Sequence, residues 1–100
     1  MEWDDAMEVL DAWRGRDVIV VAYLEPGISL APVETRLELS RPGRGVVRLD
    51  VPGLPVALRR ATFIEAGWIA GREQQALAVT QGGVRVDVLL DDGAQAPAPG

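Results

Sequence analysis

The sequence predicts a mainly β fold: an N-terminal α-helix followed by a bent antiparallel meander of five or six strands that closes as a small barrel. Three observations carry this. Trp3, Ala6, Met7, Leu10 and Trp13 recur at spacings of three and four, the apolar stripe of a helix. From Asp17 onward the segments are short, rich in β-branched residues and divided by Gly and Pro. Two hairpins near the C-terminal end, registered independently, both place Leu77 and Val79 on the core face.

The helix is expected over residues 4–14. Asp4 or Asp5 caps its start, Arg14 lies in its last turn and Gly15 follows as the C′ residue. A helix this short does not hold alone, so its stripe must be buried on the strands. Asp17 to Leu24 is the first strand, with Val18, Ile19, Val20 and Val21 dense enough for apolar contacts on both faces. Glu25-Pro26-Gly27 forms a turn, and Ile28 to Val33, interrupted by Pro32, is an irregular loop or poor edge strand.

Thr35 to Ser40 alternates, with Leu37 and Leu39 on one face. A loop over Arg41–Gly45 then leads to a strand over Val46–Val51. Ser40 facing Val46 sets Leu39 against Val47 and Leu37 against Leu49. After Pro52-Gly53-Leu54-Pro55 a long strand runs from Leu58 to Ala70, and Gly71-Arg72 turns it. Pairing Ala70 with Glu73 places Trp68 opposite Gln75, Ala66 opposite Leu77 and Ile64 opposite Val79. The last hairpin turns at Gly82-Gly83, both with positive φ, and sets Val79 against Val86 and Leu77 against Val88. Asp91-Asp92-Gly93 ends it. Residues 1–93 thus make one domain, and the Ala/Pro stretch 94–100 is a disordered tail.

The chemistry is narrow. The chain has no His, no Cys and no Lys, so imidazole and thiolate nucleophiles, disulfides and His/Cys metal sites are excluded. Asp4/Asp5 reads as helix N-terminal charge and Asp91/Asp92 as a solvated turn, since sequence neighbours rarely present both carboxylates to one substrate. Gly43-Arg44-Gly45 lacks the Lys-Ser/Thr of a phosphate loop. No catalytic residue, metal or cofactor is assigned, and the chain is read as a non-enzyme. The acidic start Met1-Glu2-Trp3-Asp4-Asp5 is unlike a secretory signal, and no apolar run approaches the ~18 residues of a membrane span. A cytoplasmic protein without membrane attachment is expected.

Net charge is −5, opposing non-specific nucleic-acid binding, yet six arginines lie between Arg36 and Arg60 against only Glu38 and Asp50. Arg41, Arg44, Arg48, Arg59 and Arg60 are therefore the candidate site for an anionic partner, either RNA phosphate or an acidic protein face. The plainer account is a solvated face balanced by Glu34, Glu38 and Asp50 across strands. No aromatic residue interleaves with these arginines, so a base-stacking platform is missing and nucleic acid is not the favoured partner. With Ile64, Ala66 and Trp68 toward the core, Phe63 and Ile69 point away and form a candidate self-association stripe; alternatively the helix covers them through Trp3 and Trp13.

Leu10, Trp13, Gly15, Arg16, Val18 and Val20, a short helix ending at Gly followed by a basic residue and a Val-rich strand, resemble the opening of Sm-like proteins. The resemblance implies a strongly bent small barrel that assembles into rings and binds RNA. It covers about the first 40 residues. The Asp and Asn of the Sm base pocket have no counterpart where Ser40-Arg41-Pro42-Gly43 stands, and Gly71-Arg72 reverses the Arg-Gly order, so no RNA-binding residue is carried over. The function expected is a non-catalytic protein-interaction or self-assembly module, homo-oligomeric or protein-bound. An RNA-binding Sm-like module is the alternative.

Overall fold

A computed structural model describes residues 1–24, 27–71 and 75–91. The helix, α1, spans Trp3–Ala12, and nine strands follow among the described residues. These are β1 (Asp17–Leu24), β2 (Ile28–Ser29), β3 (Val33–Arg36), β4 (Leu39–Gly43), β5 (Val46–Leu49), β6 (Val56–Arg59), β7 (Phe63–Trp68), β8 (Ala76–Gln81) and β9 (Val84–Leu90). They form two antiparallel sheets. The larger runs β2-β1-β9-β8-β7, with β3 also paired to β1, and the smaller runs β4-β5-β6. Neither sheet closes on itself.

The helix stripe forms as its spacing requires. Trp3, Ala6, Met7, Leu10 and Trp13 are all buried, in one core cluster with residues of both sheets. Asp4 and Asp5 lie in the first turn, favourably placed for the helix dipole, but Glu2 occupies the N-cap and makes no side-chain cap bond. Gly15 takes φ +83° and donates to the Leu37 carbonyl at 2.7 Å, steering the chain into β1. The bounds of β1 coincide with expectation, and its burial alternates: Val18, Val20 and Ala22 are buried, Ile19 and Val21 half-buried.

The strand expected over 35–40 is divided between the sheets. Val33–Arg36 pairs with β1, and Leu37, 1 % exposed, marks the crossing. Its backbone bonds Gly15 and Arg16, and the chain continues into the small sheet as β4. Leu39 therefore faces Leu49, not Val47, and the turn tightens to Arg44-Gly45 with an irregularity between Ser40 and Gly43. The register moves by two residues, which preserves the apolar face.

The long strand expected from Leu58 to Ala70 is likewise broken. β6 belongs to the small sheet, a 3₁₀ turn over Arg60–Thr62 follows, and β7 joins the large one. Trp68 faces Leu77 and Ala66 faces Val79. The register shifts between Phe63 and Glu65, and the bulge throws Ile64 outward, 63 % exposed, while Phe63 turns in against the core. The expected outward placement of Phe63 is thus corrected: its ring meets Trp3 edge-on, centroids 5.7 Å apart. Trp68, expected inside, is 52 % exposed at the sheet edge beside the Trp13 ring.

The final hairpin has the expected register, Val79 to Val86 and Leu77 to Val88. Only Gly83 has positive φ, at +72°; Gly82 does not, contrary to expectation. Gly83→Ala should therefore cost about 1 kcal/mol through backbone strain. Gly82→Ala, whose added Cβ meets only Thr62 at an ordinary 3.9 Å, should be nearly neutral. Urea titrations of the two variants check this; equal effects would contradict it. The expected turn residues Glu25, Pro26 and Arg72, the partner Glu73 and the tail 94–100 lie outside the described residues.

One side chain ties the edges of the two sheets together by hydrogen bonds. Gln81, 9 % exposed at the end of β8, accepts the Arg59 N–H on Oε1 at 2.9 Å and donates from Nε2 to the Ala57 carbonyl at 2.8 Å. Its amide acts as a short strand on the open edge of β6, satisfying backbone groups that the sheet leaves free.

Candidate interaction surfaces

The arginine-rich segment is divided by the fold. Arg41 donates to Asp11 Oδ2 at 2.7 Å, and Arg60 lies 4.0 Å from Asp4. Asp4, Glu8 and Asp11 follow helical spacing and line one side of a cleft of about 420 Å³, with Arg41 and Arg44 opposite. Two of the predicted anion-binding arginines thus face carboxylates of the chain's own helix. The cross-strand balance by Glu34, Glu38 and Asp50 does not form: among the described residues none of the three makes an ion pair. Arg44, Arg48 and Arg59 are exposed and make no ion pair among the described residues. Arg48 pairs across from Ala57 and Arg59 from Val46, so the two arginines are diagonal neighbours on the outer face of the small sheet.

A second surface is the face of the large sheet turned away from the core. Alternation places Glu65, Gly67 and Ile69 of the β7 segment there, with Ala76, Ala78 and Thr80 of β8, Arg85, Asp87 and Leu89 of β9, and Ile19, Val21 and Tyr23 of β1. Ala76, Asp87 and Leu89 are buried even so, and the open part of the face is the end around Glu65, Ala78, Thr80, Arg85 and Tyr23. Ile69 thus lies outward as predicted. The registers put Glu65, Thr80, Arg85 and Tyr23 in one row across four strands.

Arg85 is the charge in this row that an ion pair holds, among the described residues. Its Nε donates to Asp87 Oδ1 at 2.8 Å and its Nη2 to Oδ2 at 3.0 Å, and its guanidinium lies 5.4 Å from the Tyr23 ring centroid. Residues two apart on a strand share a face, which is why the pair forms. The Asp87 hydrogen bonds raise the Arg85 pKa above its ordinary value, against an opposing effect of burial. Asp87 is 2 % exposed and makes no other ion pair among the described residues, whereas the Arg85 side chain remains 48 % exposed. The pair uses the Nε and Nη2 donors and leaves Nη1 outside it, on a side chain that is half exposed. Arg85→Ala should strand the carboxylate and cost about 2 kcal/mol, less than the ~3–5 of a fully buried pair because water reaches the vacated position. Chemical denaturation tests this, and a loss below ~0.5 kcal/mol would show that Asp87 needs no partner.

Two grooves meet at Thr80 and Arg85. One, about 300 Å³, runs over Gly67 and Ala78 beside Glu65 and Ile69. The other, about 470 Å³, is bounded by Tyr23, Leu24, Ile64 and Val84. The sequence held a signal for this site, an Arg and an Asp two apart within the otherwise apolar strand Val84–Leu90. The denser arginines of the middle segment are the louder signal and mask it.

No cluster of acidic side chains able to hold a metal ion is present among the described residues, and none of their helices is long and apolar enough to cross a membrane. No family model, curated protein or solved structure matches the chain.

Proposed function

We propose that this protein is a non-catalytic interaction and self-assembly module that works through the outer face of its large sheet. The observation carrying this reading is the conjunction on that face of exposed Ile64 and Tyr23, two grooves, and an arginine fixed by a buried carboxylate. A costly ion pair that leaves an arginine facing solvent suits recognition better than it suits core stability. In this reading the two sheets, sharing one core, are the halves of a small barrel left open. Such a sheet has edges and an apolar face that association covers. Light scattering across a concentration series is the test. The mass should rise toward a defined multiple of the chain at high micromolar concentration, and a constant monomer would contradict self-assembly.

A second reading, an RNA-binding module with Sm-like character, is favoured by Arg44, Arg48 and Arg59, which make no ion pair among the described residues. Fluorescence anisotropy with single-stranded RNA separates the readings. Phosphate contacts by three arginines require affinity that falls steeply with salt, and no binding at low salt would remove this second reading.

A further inference from the structure

We propose that the partner of the outer face is a second copy of this chain, joined face to face about a two-fold axis parallel to the strands and lying over Thr80. The inference rests on the interaction-module reading and names its surface. Glu65, Thr80 and Arg85 occupy adjacent strands in one row, with Thr80 in the middle. Neighbouring strands lie ~4.8 Å apart, so Glu65 and Arg85 stand at equal distances on either side of Thr80. A two-fold rotation about that axis turns the row over and reverses it. Glu65 of each copy then sits above Arg85 of the other, forming two equivalent ion pairs.

The charges are available for this. Glu65 is exposed and makes no ion pair among the described residues, while Arg85, half exposed, has its Nη1 donors left over from the pair with Asp87. The shapes agree as well. The residues under the axis, Ala78 and Thr80, are small and border the same groove, so two copies can approach closely at this open end of the face, while Ala76 and Leu89 at its other end are already buried within the chain. Ile64, thrown outward by the bulge next to Glu65, is carried toward the apolar groove beside Tyr23 and Val84 of the second copy. An isologous contact requires one patch to hold both halves of each pair, and this one does.

Sedimentation velocity on the full chain tests the proposal, with Glu65→Arg and Ile64→Asp as separate variants. Both positions are exposed, and unchanged circular dichroism and urea midpoints establish that the variants are folded. The wild type is expected to dimerise at high micromolar concentration, more weakly at high salt. Glu65→Arg, which opposes Arg85 with a like charge, should raise the dimer dissociation constant by about tenfold or more. Ile64→Asp should do the same. A wild-type dimer indifferent to both substitutions would overturn this arrangement while leaving self-assembly intact. A wild-type monomer would overturn both.

Discussion

Leu10→Ala is expected to lower the unfolding free energy by about 3–4 kcal/mol, the largest single effect in this molecule. Leu10 is fully buried in the cluster that joins the helix to both sheets. The helix has only ten residues and no side-chain cap, so its order comes from docking. Removing the isopropyl group of Leu10 leaves a cavity inside this closely packed cluster. Urea denaturation followed by tryptophan fluorescence measures the loss. Asp11→Ala, which removes the exposed pair with Arg41, should cost under ~1 kcal/mol in the same assay. Similar losses in the two variants would show that the helix is held by its charges and not by its stripe.

Gln81→Leu should cost about 2–3 kcal/mol, although leucine nearly matches glutamine in volume. The substitution leaves the Arg59 N–H and the Ala57 carbonyl without their partner at the junction of the sheets. A direct readout is amide hydrogen exchange at Arg59. Its protection should fall in the variant by more than the drop in global stability explains, since the hydrogen bond removed is a local one. Unchanged protection would mean that the edge of β6 is satisfied in another way.

What could be read from the chain was mostly local. The helix stripe, the bounds of β1 and the register of the β8–β9 hairpin each depend on residues close in sequence, where period and turn chemistry decide. What could not be read was where a strand changes sheet. Leu37 and the Arg60–Thr62 turn both lie in segments whose alternation continues with little interruption, and only tertiary pairing divides them. The pairing of β1 with β9 joins segments far apart in sequence and leaves no local trace. One bulged residue, Ile64, exchanged the faces of Ile64 and Phe63, because an inserted residue reverses the alternation beyond it. Hence Ile69 keeps the face that plain alternation gives it, and Phe63 does not.

The site was legible to a similar degree. Arginine density pointed to Arg41 and Arg60, which the fold pairs with the acidic helix, because charge counts do not show which opposite charges the topology brings near. Arg85 stood alone in sequence, and its weight comes from three neighbours: Asp87 beneath, Tyr23 alongside and Thr80 across.

The claim that the outer face of the large sheet is the assembly surface is tested most directly by isotope-filtered NMR on an equal mixture of labelled and unlabelled chains. Ala78 and Thr80 lie outward on β8, one strand in from the β7 edge, and belong to neither the helix nor the arginine face of the small sheet. The account predicts intermolecular NOEs from their methyl groups to the same strand of the other copy. Intermolecular NOEs confined to α1 or to the β4–β6 sheet would contradict it.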